Sequence, residues 1–198
     1  LTPLAISSHF FWVTARAAGI SALVLVSASV GTGVALSGRL DPASGSDLRI
    51  AHEALSLAAV ALIALHVLSL FGDTYFHPSV GDLVIPIELD YREPYMAIGI
   101  IGGWGTVVLG LSYYVRGLIG IARWKILHRV TAAAWVLSVI HTLGEGTDGG
   151  DAWFIAIVVL TVLPTLLLIL VRLTHGRWPP SRFNPLARSL PRVRRSGM

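Results

Sequence analysis

The stretch "LRIAHEALSLAAVALIALHVLSLFGD", residues 48–73, decides the fold. From Ile50 to Phe71 every residue except Glu53 is apolar, small or histidine. A run of this length crosses a hydrocarbon core of about 30 Å as a helix. It lacks the period-2 alternation of a barrel strand, and lipid tolerates only helices and closed barrels because no water is there to pair the backbone. The rest of the chain agrees. Of 198 residues, 54% are hydrophobic and 13% charged, against roughly 25% charged in a soluble domain. Mean hydropathy is +0.72. The predicted class is an all-α, polytopic membrane helical bundle.

Five spans are predicted, over residues 10–37, 48–72, 94–116, 122–143 and 152–174. Asp47 is an N-cap candidate for the second, Pro94 opens the third, and Pro164 is expected to kink the fifth. Residues 1–175 read as one membrane domain, and 176–198 as a basic, Pro-rich cytoplasmic tail without an apolar face. Thirteen of the fifteen basic residues fall on one side, in or beside the links between spans one and two and between spans three and four, or at and beyond the end of span five. The opposite side holds Asp73, Asp82, Glu88, Asp90, Glu93, Glu145, Asp148 and Asp151, with only Arg16 and Arg92. The positive-inside rule then puts the N-terminus outside and the C-terminus in the cytoplasm.

Several classes drop out. There is no cysteine, hence no disulfide, thiolate metal site or cysteine nucleophile. The pI near 10 comes from cations at span ends and in the tail, a topological pattern rather than a nucleic-acid face. No G-x-G-x-x-G follows a strand and no catalytic triad is evident, so no catalytic side chain is assigned.

The intramembrane histidines carry the chemistry. His9, His77 and His175 lie at span ends or in a loop and read as interfacial. His52, His66, His128 and His141 lie inside spans two and four, where ionisable residues are rare and face a partner or cavity. Spans two and four run in the same direction, so His52 and His128 fall at one depth and His66 and His141 at another. His52 and His66 are fourteen residues, 3.9 turns and about 21 Å apart on one helix face. Two facing helices that each give a neutral imidazole can hold a haem iron between them, and two stacked haems would form an electron path across the bilayer. The separation is too great for a dinuclear metal site of about 3.5–4 Å. His128 and His141 are thirteen apart, which leaves about 140° of azimuth to be absorbed by over-winding, tilt or different flanks.

Arg16, in the outer part of span one, can reach the carboxylates of an outer haem. Arg49 and Arg129 lie at the depth of the inner pair, where they serve a haem or snorkel to headgroups. Gly31, Gly33, Gly99, Gly102, Gly103, Gly105 and Gly110 fit either a bulky planar ligand or ordinary close helix packing.

"HEALSLAAVALIALH" (52–66) and "HRVTAAAWVLSVIH" (128–141) resemble the paired motifs of the ferric reductase-like transmembrane domain family. That superfamily takes in NADPH oxidases, ferric reductases and the membrane subunit of the bacterial methionine sulfoxide reductase system. Residues 11–34, 84–99 and 141–149 also look like stretches common in its bacterial members, so the resemblance spans residues 10–172. It implies two b-type haems, with His52 and His128 as ligands of the inner iron and His66 and His141 of the outer. It also implies the cytoplasmic membrane of a bacterium as location. Larger relatives carry a flavin and nicotinamide domain, and many bacterial ones have Arg where this chain has Glu53. The electron donor is therefore expected to be a separate flavoprotein or quinol, and the acceptor ferric iron, oxygen or a partner protein at the outer face. A haem-free transporter or proton relay, or a structural subunit of a membrane complex, are the other readings the histidines allow.

Overall fold

The computed structural model describes residues 3–38, 45–73, 78–86, 88, 93–145 and 148–175. Arg39, His77, Arg92 and the whole predicted tail lie outside the described residues, as do parts of the 72–93 loop. The helices in chain order are α1 (Pro3–Gly38), α2 (Gly45–Leu70), α3 (Val80–Val84), α4 (Glu93–Leu111), α5 (Arg116–Ile119), α6 (Ile121–Arg129), α7 (Thr131–Glu145) and α8 (Ala152–His175). Among the described residues there is no strand. Five stretches are long and apolar enough to cross a bilayer: His9–Ser37, Ser46–Leu70, Pro94–Leu111, Ile121–Glu145 and Ala152–Thr174. This is the architecture of a multi-pass helical membrane protein.

α1 is the central helix. It packs along α2 and touches α7 and α8, while α4 packs on α7 and more lightly on α2. Large apolar side chains such as Leu68, Val108, Leu160 and Leu173 point outward, as lipid-facing surface requires. The buried core is thin and built of small residues with a few aromatics. Leu23, Phe154 and Val158 make one cluster, and Val26, Ala59 and Trp135 a second. A polar node ties three helices together beside them. The Trp135 indole N–H donates to Ser27 Oγ at 2.9 Å, and the Thr165 hydroxyl donates to the Ser27 carbonyl at 2.9 Å. All three residues are buried, so these bonds satisfy groups that lipid could not.

Three predicted elements differ in detail. Asp47, the N-cap candidate of the second span, lies within the first turn of α2, which starts at Gly45. The third span ends as a helix at Leu111 instead of 116, because Ser112 to Val115 form successive turns before α5. Gly120, at φ 89°, then reverses the chain into α6, a conformation glycine adopts without strain. The fourth span is two helices, broken at Val130. There the Val130 N–H bonds the Leu127 carbonyl and the Ala133 N–H the Val130 carbonyl, both three residues back. Such bonds wind at about 3.0 residues per turn, which advances the azimuth beyond an α-helix. Local over-winding, one of the three ways expected to absorb the His128–His141 azimuth, is present at this joint, where the Val130 carbonyl also accepts the ordinary α-helical bond from the Ala134 N–H. α8 remains helical across Pro164.

Candidate functional site

α2 presents His52 and His66 to α1 by the same local device, used twice. The His66 Nδ1 donates to the Ala15 carbonyl at 2.7 Å, and a Cβ added at Gly19 would lie 3.0 Å from that nitrogen. The His52 Nδ1 donates to the Ser29 carbonyl at 2.9 Å, and a Cβ added at Gly33 would lie 3.1 Å from its Cε1. In each case the glycine stands four residues after the accepting carbonyl, directly over it on the helix. Removing the Cβ lets an imidazole lie on the backbone and reach a carbonyl already engaged within the helix. The two glycines and the two histidines share an interval of fourteen residues.

α4 and α7 repeat the device once. The His141 Nδ1 donates to the Tyr95 carbonyl at 2.9 Å, and a Cβ at Gly99, again four residues on, would overlap the His141 ring. The α4–α7 contact is close throughout: a Cβ at Gly102 or Gly105 would press on Ala134, and one at Gly144 would overlap Tyr95. His128 is held differently. Its Nδ1 donates to the Leu109 carbonyl, near the end of α4, over 3.4 Å.

A carbonyl oxygen only accepts, so the proton of each ring sits on Nδ1, and a neutral ring then carries its lone pair on Nε2. This is the state of a metal-ligating histidine, whose other ring N–H is anchored in this way. His52 and His128 are in ring contact, with centroids 6.1 Å apart and planes at 88°. Two imidazoles sharing one metal through bonds of about 2.0–2.1 Å have centroids about 6 Å apart. His66 and His141 both line a cavity of 620 Å³ that lies between α1, α2, α4 and α7. The volume falls within the roughly 300–1,000 Å³ of cofactor pockets. Val60, Ile63, Ile100 and Val107 contribute to its mostly apolar wall. α3 adds Leu83 and Val84, its first turn fixed by a capping box between Ser79 and Asp82. Both imidazoles, with Gly19 and Gly99, lie on this mostly apolar wall.

Arg16 lies on the same wall, ion-paired with the buried Asp148 and 4.7 Å from the Trp12 ring centre. Asp73 and Glu145 also line the cavity. Arg49 is exposed near the start of its span and Arg129 is exposed at the end of α6, and His9 is exposed at the start of the first span. Among the described residues no three or more His, Asp or Glu side chains gather as a metal centre, so any metal here rests on pairs. Sequence reading passed over Gly19, the anchoring carbonyls, and Asp148 as partner of Arg16. The fourteen-residue interval common to the glycines and the histidines is the signal that marks Gly19. No family model matches the chain, and no solved structure matches it.

Proposed function

We propose that the chain is a membrane-embedded di-haem b cytochrome that carries electrons across the bilayer. His52 and His128 hold an inner haem, His66 and His141 an outer one. The donor is a separate cytoplasmic flavoprotein or quinol, and the acceptor is ferric iron, oxygen or a partner protein at the outer face of a bacterial cytoplasmic membrane. One observation carries this reading: each of the four imidazoles gives Nδ1 to a backbone carbonyl and keeps Nε2 for a ligand. The likeness of both histidine motifs to the ferric reductase-like transmembrane domain family supports it.

Bound haem supplies reversible one-electron transfer, and the protein supplies axial ligands, orientation and a dry surround. Helices α2 and α6–α7 bring one ligand each to either depth. Gly19, Gly33 and Gly99 let the rings sit close enough to the neighbouring helix to be locked by its carbonyls. Arg16, ion-paired with Asp148 on the cavity wall, would offer its guanidinium to an outer haem's carboxylates. The same carbonyl anchors weigh against a proton relay, in which each ring must pass protons through both nitrogens.

The test is a reduced-minus-oxidised visible spectrum of the chain purified after expression with ample haem. The expected result is b-type bands with two haems per chain. A colourless protein would overturn the proposal and leave the relay or structural readings.

A further inference from the structure

His128 is the one member of the four without a glycine beneath it, and its Nδ1 bond, at 3.4 Å, is longer than the 2.7–2.9 Å of the others. Instead, a closed ring of contacts surrounds it. Trp124 stacks on its face, centroids 4.9 Å apart and planes at 25°. The Trp124 indole N–H donates to Ser112 Oγ at 3.1 Å. The Ser112 hydroxyl donates to the Leu109 carbonyl at 2.6 Å, the same oxygen that accepts from His128. The turns at 112–115 and the reversal at Gly120 are what bring Trp124 back over this carbonyl.

We infer that Trp124 and Ser112 are positioning residues for the inner histidine pair. Trp124 sets the plane of the His128 ring, and Ser112 competes for the Leu109 carbonyl and so limits how strongly the ring N–H can donate. The inference rests on the di-haem reading above. A ring N–H that donates more strongly makes its imidazole a more basic ligand and steadies the oxidised metal, lowering its potential. The angle between the two ligand planes, 88° for His52 and His128, shapes the low-spin ferric resonance signal of the haem they share. One segment thus governs both properties of one haem and neither property of the other.

The experiment compares the full-length, haem-loaded chain with Trp124→Ala, Trp124→Phe and Ser112→Ala, by haem count, electron paramagnetic resonance and potentiometric titration. The His66→Ala variant identifies which signal is the inner haem's. Trp124→Ala should shift the inner signal or lose the inner haem alone, and Trp124→Phe, which keeps a stacking face, should bring it back toward the native position. Ser112→Ala should move the inner midpoint potential to a more negative value and leave the outer one in place. Native signals in Trp124→Ala, or loss of both haems together, would overturn the role of Trp124. An unmoved inner potential in Ser112→Ala would overturn that of Ser112. A native chain that binds no haem would instead overturn the di-haem reading itself.

Discussion

At the scale of the residue, a glycine four positions after the accepting carbonyl makes room for the ring at three of the four histidines. The three cases differ in tightness. A Cβ at Gly99 would overlap the His141 ring outright, whereas those at Gly19 and Gly33 come to 3.0 and 3.1 Å from an imidazole atom, a gap closed by a shift of a few tenths of an ångström. Gly99→Ala is therefore expected to lose most of the outer haem and keep the inner one, with Gly19→Ala and Gly33→Ala milder at the outer and inner sites. Haem content per chain reads this directly, and a fully loaded Gly99→Ala would contradict it. A second residue-scale effect lies beside His52. The Tyr114 hydroxyl donates to Glu53 at 3.0 Å, and that bond raises the phenol above its ordinary pKa of about 10. Replacing Glu53 by Ala should make one tyrosine ionise at lower pH in an ultraviolet titration; an unchanged curve would show that the bond does not form in solution. The histidine pairs are legible in the sequence because a polar ring in an apolar run stands out. Gly33 and Gly99 read only as small residues, since a glycine's role is fixed by what faces it.

At the scale of the element, the five spans follow from hydropathy alone, and their ends fall within a few residues of the described helices. The exception is the end of the third. Residues 112–116 are apolar or aromatic enough to prolong the pattern, but Trp124, Tyr113 and Arg116 form contacts that favour turns there. Tyr113 meets Trp124 edge-on at 5.9 Å, and Arg116 lies 3.8 Å from the Tyr113 ring centre and donates to its carbonyl at 2.7 Å. The break at Val130 was equally hidden, because neither Gly nor Pro marks it. Thr131 is the local clue: its hydroxyl donates to the His128 carbonyl and offers the backbone an alternative partner at the joint. Between elements, the Ser27 node joins α1, α7 and α8. Ser27→Ala leaves the buried Trp135 N–H without its acceptor and keeps the carbonyl that Thr165 uses. The expected cost lies between about 0.6 kcal/mol, the average for a hydrogen bond between membrane helices, and about 1.7 kcal/mol, the largest. Unfolding of the detergent-solubilised protein measures it, and native stability in Ser27→Ala would mean the node holds nothing together.

At the scale of the whole molecule, charge and depth align. The cavity end carries Asp73, Glu145 and Asp148 with Arg16, and the opposite end carries Arg49, Arg123, Lys125, Arg129 and Arg172. On the proposed orientation the first end faces out. Because the chain has no cysteine, single introduced thiols report the sides without background. Val80→Cys, 67% exposed on α3, should react with a membrane-impermeant reagent in intact cells, and Leu118→Cys, 91% exposed on α5, only after permeabilisation. The reverse pattern would invert the topology. The central claim, however, is about pairing: four histidines act as two cages at two depths. Haem counted per chain in the four single variants His52→Ala, His66→Ala, His128→Ala and His141→Ala tests it most directly. The account predicts one haem left in each, with the same spectrum surviving in His52→Ala and His128→Ala, and the other surviving in His66→Ala and His141→Ala. Two haems retained in any of the four, or spectra that group the histidines differently, would contradict it.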